Sequence, residues 1–93
     1  MAQTLNLTKT PALRYHYNGN DDVLYVSWSP ESTTHGQEFG SNVILRLNDQ
    51  RRVLGVTVYD VRRRFDFNPQ ADLLPQVSAL AASILSDYAI SGR

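Results

Sequence analysis

Val43-Ile44-Leu45-Arg46-Leu47-Asn48-Asp49-Gln50-Arg51-Arg52-Val53-Leu54-Gly55-Val56-Thr57-Val58-Tyr59-Asp60 is the stretch on which the fold turns. Two runs rich in Val, Ile and Leu flank a short polar segment, the pattern of a β-hairpin. Successive side chains of a strand leave opposite faces. Val43, Leu45 and Leu47 therefore share one face with Leu54, Val56 and Val58, which leaves Ile44, Arg46, Gly55, Thr57 and Tyr59 on the other. The first set is wholly apolar and reads as core.

The same logic extends upstream. Leu13, Tyr15 and Tyr17 alternate with Arg14 and His16, as in a half-buried strand. Asn18-Gly19-Asn20-Asp21-Asp22 is turn chemistry, and Val23-Leu24-Tyr25-Val26-Ser27-Trp28 is a second strand. Leu24, Val26 and Trp28 join the apolar face, and Val23, Tyr25 and Ser27 join the mixed one. Ser29 to Gly40, with Pro30 and several Ser, Thr and Gly, reads as a long loop.

Downstream, Arg62 to Pro69 reads as a connector. Leu73, Val77, Leu80, Ile84 and Tyr88 then fall at helical spacing, with Leu74, Ala81 and Leu85 widening the stripe. Asp72 suits the N-cap, Pro75 is tolerated in the first turn, and Gly92 lies near a stop. The expected fold is α+β in two layers: an antiparallel four-stranded sheet of two β-hairpins packed under one C-terminal helix. Residues 1–12 read as an N-terminal arm, and 13–93 as a single domain.

Composition narrows the chemistry. The 93 residues are 42% hydrophobic, enough for one core. Nine basic residues balance nine acidic ones, so no long-range field draws the chain to nucleic acid or anionic membrane. There is no Cys, which removes disulfides, thiolate catalysis and zinc-thiolate sites and points to a cytoplasmic location. Residues 1–12 lack the pattern of a signal peptide, and no apolar run is read as approaching the roughly 20 residues of a membrane span.

No catalytic constellation is apparent. His16 lies in a strand between two Tyr residues and His35 in the long loop, neither with a second ligand at metal spacing. Asp21-Asp22 supplies oxygen ligands for a hard cation but equally suits a hairpin turn. No catalytic residue, metal site, cofactor or small-molecule substrate is therefore expected. Two surfaces stand out instead. One is the mixed face of the sheet, where Tyr25, Ile44, Arg46 and Tyr59 suit a protein contact, with Gly55 leaving a shallow depression beside Ile44. The other is Arg62-Arg63-Arg64 with Phe65, where clustered guanidinium groups beside an aromatic suit nucleic acid, although Asp60 and Asp66 flank them. The outer strand at Leu13–Tyr17 also offers a free edge to a partner.

Asp22-Val23-Leu24-Tyr25-Val26 and Val53-Leu54-Gly55-Val56-Thr57-Val58-Tyr59-Asp60 resemble domain-of-unknown-function family 2283, a group of small prokaryotic proteins. The resemblance runs from Tyr17 to Val61 and implies a two-hairpin sheet. The turn glycine that such proteins carry between the last two strands is replaced here by Asn48-Asp49-Gln50-Arg51. The resemblance implies no catalytic residues. It implies a partner-binding module, with an antitoxin-like role as one version; the uncovered face at Tyr25, Ile44 and Tyr59 adds the expectation of a homodimer or a complex with another protein, as an inhibitor or accessory subunit. A small nucleic-acid-binding protein using Arg62–Arg64 is the alternative expectation.

Overall fold

The computed structural model describes residues 13–91, so the arm expected over residues 1–12 lies outside the described residues. Five strands form one antiparallel sheet: β1 Arg14–Asn18, β2 Val23–Ser27, β3 His35–Phe39, β4 Val43–Leu47 and β5 Val53–Tyr59. Two helices follow, α1 over Val61–Phe65 and α2 over Leu73–Ser91. The sheet order is β1-β2-β5-β4-β3, which places β5 in the middle and β1 and β3 at the edges.

Two expectations are corrected. The sheet has five strands rather than four, because His35–Phe39, expected within a loop, pairs with β4 and makes a further hairpin. His-Gly-Gln-Glu-Phe contains no β-branched residue, so nothing local demands a strand. Pairing to β4 supplies the order, and Phe39 is pinned by an edge-to-face contact with Tyr88 of α2 at 5.7 Å. The supposed connector Arg62-Arg63-Arg64 is largely the short helix α1, bounded by Asp60 and Asp66, both in the left-handed backbone region.

The core is the apolar face read from the sequence. Leu24, Val26, Val43, Leu45, Leu47, Val56 and Val58 are buried against Val77, Leu80 and Ile84 of α2, with Val61 of α1 and Phe67 closing one end. The lead-in to α2 is held by Gln76, whose amide bonds both the N–H and the C=O of Asn68. Leu73–Ile90 reaches a mean hydropathy of 1.3 over 18 residues, long and apolar enough to cross a membrane, contrary to the expectation that no such run exists. In this fold Val77, Leu80, Ala81 and Ile84 bury one side of that helix on the sheet.

The pairing of β4 with β5 is interrupted once. Arg46 faces Gly55 and Leu47 faces Val53, so Leu54 is the extra residue of a β-bulge. Val53 thereby packs against the core, while Leu54, expected beside Val56 and Val58, is buried outside the main cluster. Trp28 secures the bulge, donating from Nε1 to the Val53 carbonyl at 3.0 Å and from its backbone N–H to Leu54 at 3.0 Å.

The turn between β4 and β5 is organised by Asn48. This buried side chain accepts from the N–H groups of Gln50 and Arg52 at 2.9 and 3.0 Å and donates to Glu31 at 2.9 Å. Arg51 sits at φ 66, a conformation that disfavours any residue with a Cβ. It ends the tetrapeptide that stands in place of the expected turn glycine. Arg51→Gly is therefore expected to stabilise the domain by up to about 1 kcal/mol, the relief of left-handed strain exceeding the entropy of the added glycine. A urea melt with unchanged slope and a raised midpoint checks this, and a lowered midpoint contradicts it.

Candidate functional site

The face of the sheet opposite α2 can be laid out from the strand register. One row across β1, β2, β5, β4 and β3 reads Arg14, Ser27, Gly55, Arg46, Gly36. The next reads His16, Tyr25, Thr57, Ile44, Glu38. Tyr59 follows on β5, bonded through its backbone to Asn42. Among the described residues no helix lies on this face, since α1 and α2 both send their buried residues into the other side.

This open face is neither uniformly wet nor uniformly apolar. Thr57 at its centre is only 7% exposed, with Tyr25 and Ile44 as its cross-strand neighbours. Val23 is buried as well, so the face is better covered by its own side chains than alternation alone suggests. Tyr25 and Tyr59 stay 42% and 45% exposed. The Tyr25 ring stacks with His16 at a centroid distance of 6.2 Å.

Arg46 occupies the centre. Its side chain crosses β5 above Gly55, and Nη2 donates to the backbone carbonyl of Val26 on β2. The pose requires glycine at position 55, because a Cβ there would collide with the Arg46 guanidinium and with Val26 O. The depression expected above Gly55 is thus filled by Arg46. Burial lowers the Arg46 pKa below its ordinary value. Its buried Nε has no hydrogen-bond partner among the described residues. Beside it lies a pocket of about 210 Å³ lined by Arg14, His16, Tyr25, Ser27 and Arg46.

The Arg cluster is built differently. Asp22, itself at φ 56, receives the Tyr17 hydroxyl at 2.7 Å and the backbone N–H of Arg62 at 3.3 Å, tying α1 to the first turn. Burial and this bond to Asp22 raise the Tyr17 pKa. Consecutive residues on a helix point about 100° apart, so Arg62, Arg63 and Arg64 do not form one stripe. Arg63 pairs with Asp60 at 3.2 Å and Arg64 donates to Ser41 at 2.9 Å. Arg62 and Arg63 line a broad depression with Asp22 and Asp66, whose charges oppose theirs, while the partly exposed Phe65 lines a separate one with Gln76, Ala79 and Leu80.

The structure therefore brings Tyr25, Ile44 and Arg46 together on one surface with Tyr59 at its end, and sets Arg62, Arg63, Arg64 and Phe65 apart on α1. His35 is a strand residue, 3.4 Å from Asp49. Among the described residues no group of three His, Asp or Glu side chains is placed to hold a metal ion. Sequence reading missed the span of Arg46 over Gly55. The pairing of an Arg with a Gly across the hairpin was a signal for the approach to Gly55, but not for the bond to Val26 one strand further on.

Residues 14–62 match a family described as "Protein of unknown function (DUF2283)". The chain belongs to this family. The match takes in all five strands and the first two residues of α1. No curated protein and no solved structure matches the chain. Asp22, Tyr25, Arg46, Gly55 and Tyr59 all lie inside the family segment, and α2 lies beyond it.

Two measurements probe these surfaces. Gly55→Ala is expected to destabilise the domain by about 1–3 kcal/mol through overpacking against Arg46 and the β2 backbone. Gly36→Ala, whose added methyl meets Ile44 at an ordinary 3.6 Å, should be near neutral and serves as the control. For the Arg cluster, gel shifts with a single-stranded RNA at roughly 150 mM salt should show no retarded band, since the cationic groups diverge and carboxylates oppose them. A salt-sensitive band abolished by changing Arg62, Arg63 and Arg64 together to Ala would establish the opposite.

Proposed function

We propose that this protein is a non-enzymatic interaction module that docks another polypeptide on the open face of its sheet, with Tyr25, Ile44, Arg46 and Tyr59 at the contact. One observation carries the reading. Two exposed Tyr rings and a half-buried Ile surround a buried Thr57 and a fixed guanidinium, on a surface that no described helix covers. Tyr and Arg are the side chains that contribute most when buried between proteins, and pre-orientation by stacking and hydrogen bonding lowers the entropy lost on binding. An antitoxin-like inhibitor and an accessory subunit are both modules of this kind.

Site-specific photo-crosslinking in the source cells tests the reading whatever polypeptide the partner is. A benzophenone side chain in place of Tyr25 should yield a discrete crosslinked species. The same probe in place of Ser83, exposed on the outer side of α2, should not. Equal crosslinking from both positions, or none from Tyr25, would remove the proposal.

A further inference from the structure

We infer that the occupant of the open face is a second copy of this chain, turned by a two-fold axis running along β5, so that Glu38 of each copy enters the Arg14–His16–Arg46 pocket of the other. The inference rests on the interaction reading above and names its partner.

Unpaired charge and its relief favour this arrangement. Among the described residues Arg14, Arg46 and Glu38 form no ion pair within the chain. Arg14 and Glu38 lie on opposite flanks of the same face, Arg14 on β1 beside His16 and Glu38 on β3. The sheet order places β5 midway between those flanks. A two-fold axis along β5, lying between two sheets packed face to face, exchanges β1 with β3 and β2 with β4 while keeping each row at its own level. Glu38 of the second copy then stands over His16, which share a row, and points at the adjoining pocket.

The remaining pairs match in size. Arg14 meets Gly36, Tyr25 meets Ile44, and Ser27 lies over the β4 backbone at Arg46, whose side chain turns away across β5. The axis also draws the two Arg46 guanidinium groups toward each other. The incoming carboxylates offset that repulsion, which ties dimerisation to position 38. An axis running across the strands instead lays β3 over β3, keeps Glu38 away from Arg14 on β1, and gains none of these contacts.

The size of the face sets the strength. Five strands of about five residues offer roughly 400 Å² on each copy, the scale of a weak, reversible contact. Nucleic acid is disfavoured as occupant because Arg14 and Arg46 alone do not track a backbone, and Glu38 sits on the same surface.

Sedimentation of the full chain tests the arrangement. The wild type should dimerise in the range of tens of micromolar. Glu38→Arg and Arg14→Glu, both at exposed positions, should each weaken self-association at least tenfold. An equimolar mixture of the two variants should recover near wild-type association, because one pocket regains its native pair and the other holds the reversed pair. Circular dichroism confirms that each variant is folded. Wild-type association by either variant alone, or no recovery on mixing, overturns the two-fold arrangement. A wild type that stays monomeric at several hundred micromolar overturns it too. Crosslinking from Tyr25 solely to a different protein overturns the second copy and leaves the interaction module standing.

Discussion

A strand sends alternate side chains to opposite faces, and a single long helix can cover only one of them. That constraint governs this molecule. β5, paired on both sides, holds Val56 and Val58 against α2 and turns Gly55 and Thr57 the other way. The first pair is fully buried in the core. The second lies at the centre of a face that the described helices leave bare, and the fold manages it with Arg46. By lying flat over Gly55, this one long side chain roofs the β5 backbone and bonds β2. The cost is a desolvated guanidinium whose charge no carboxylate among the described residues offsets.

The ends of the sheet are secured by a second device. Asp22, Arg51, Asp60 and Asp66 all adopt positive φ, and each marks a sharp change of chain direction. Aspartate enters this conformation more readily than most residues, its short carboxylate bonding locally. Asp22 does so while accepting from Tyr17 and from the Arg62 backbone, so the first turn and α1 are held by one carboxylate. Asp22 and Asp60, at the borders of the two stretches that carry the family resemblance, thus have a structural explanation that needs no catalytic role.

How much of this was legible in the sequence follows from which forces are local. Leu24, Val26, Leu45, Val56 and Val58 declared themselves by strict alternation, and Val77, Leu80 and Ile84 by helical spacing, because burial imposes both periods directly. β3 was hidden. Its only large apolar residue is Phe39, and the strand exists through hydrogen bonds to β4 that no local pattern encodes. The bulge at Leu54 was hidden for the reverse reason: in Val53-Leu54-Gly55-Val56 two registers satisfy the apolar face equally well. Tyr25, Ile44 and Tyr59 could be assigned to a common face from parity alone. The Arg46 contact with Val26 could not, since it spans two strand neighbours and depends on the absence of one methyl group at position 55.

The family segment stops at residue 62, before the helix that hides the core. Within that segment the sheet has an apolar underside, and α2, which follows it, is the lid that covers that underside here. The apolar rows ask for a cover of complementary shape and do not dictate its sequence, so apolar changes on α2 that keep its volume and spacing leave the sheet covered. A chain that bears the same sheet without such a helix has to borrow its cover from another polypeptide, and for it folding and assembly become a single event.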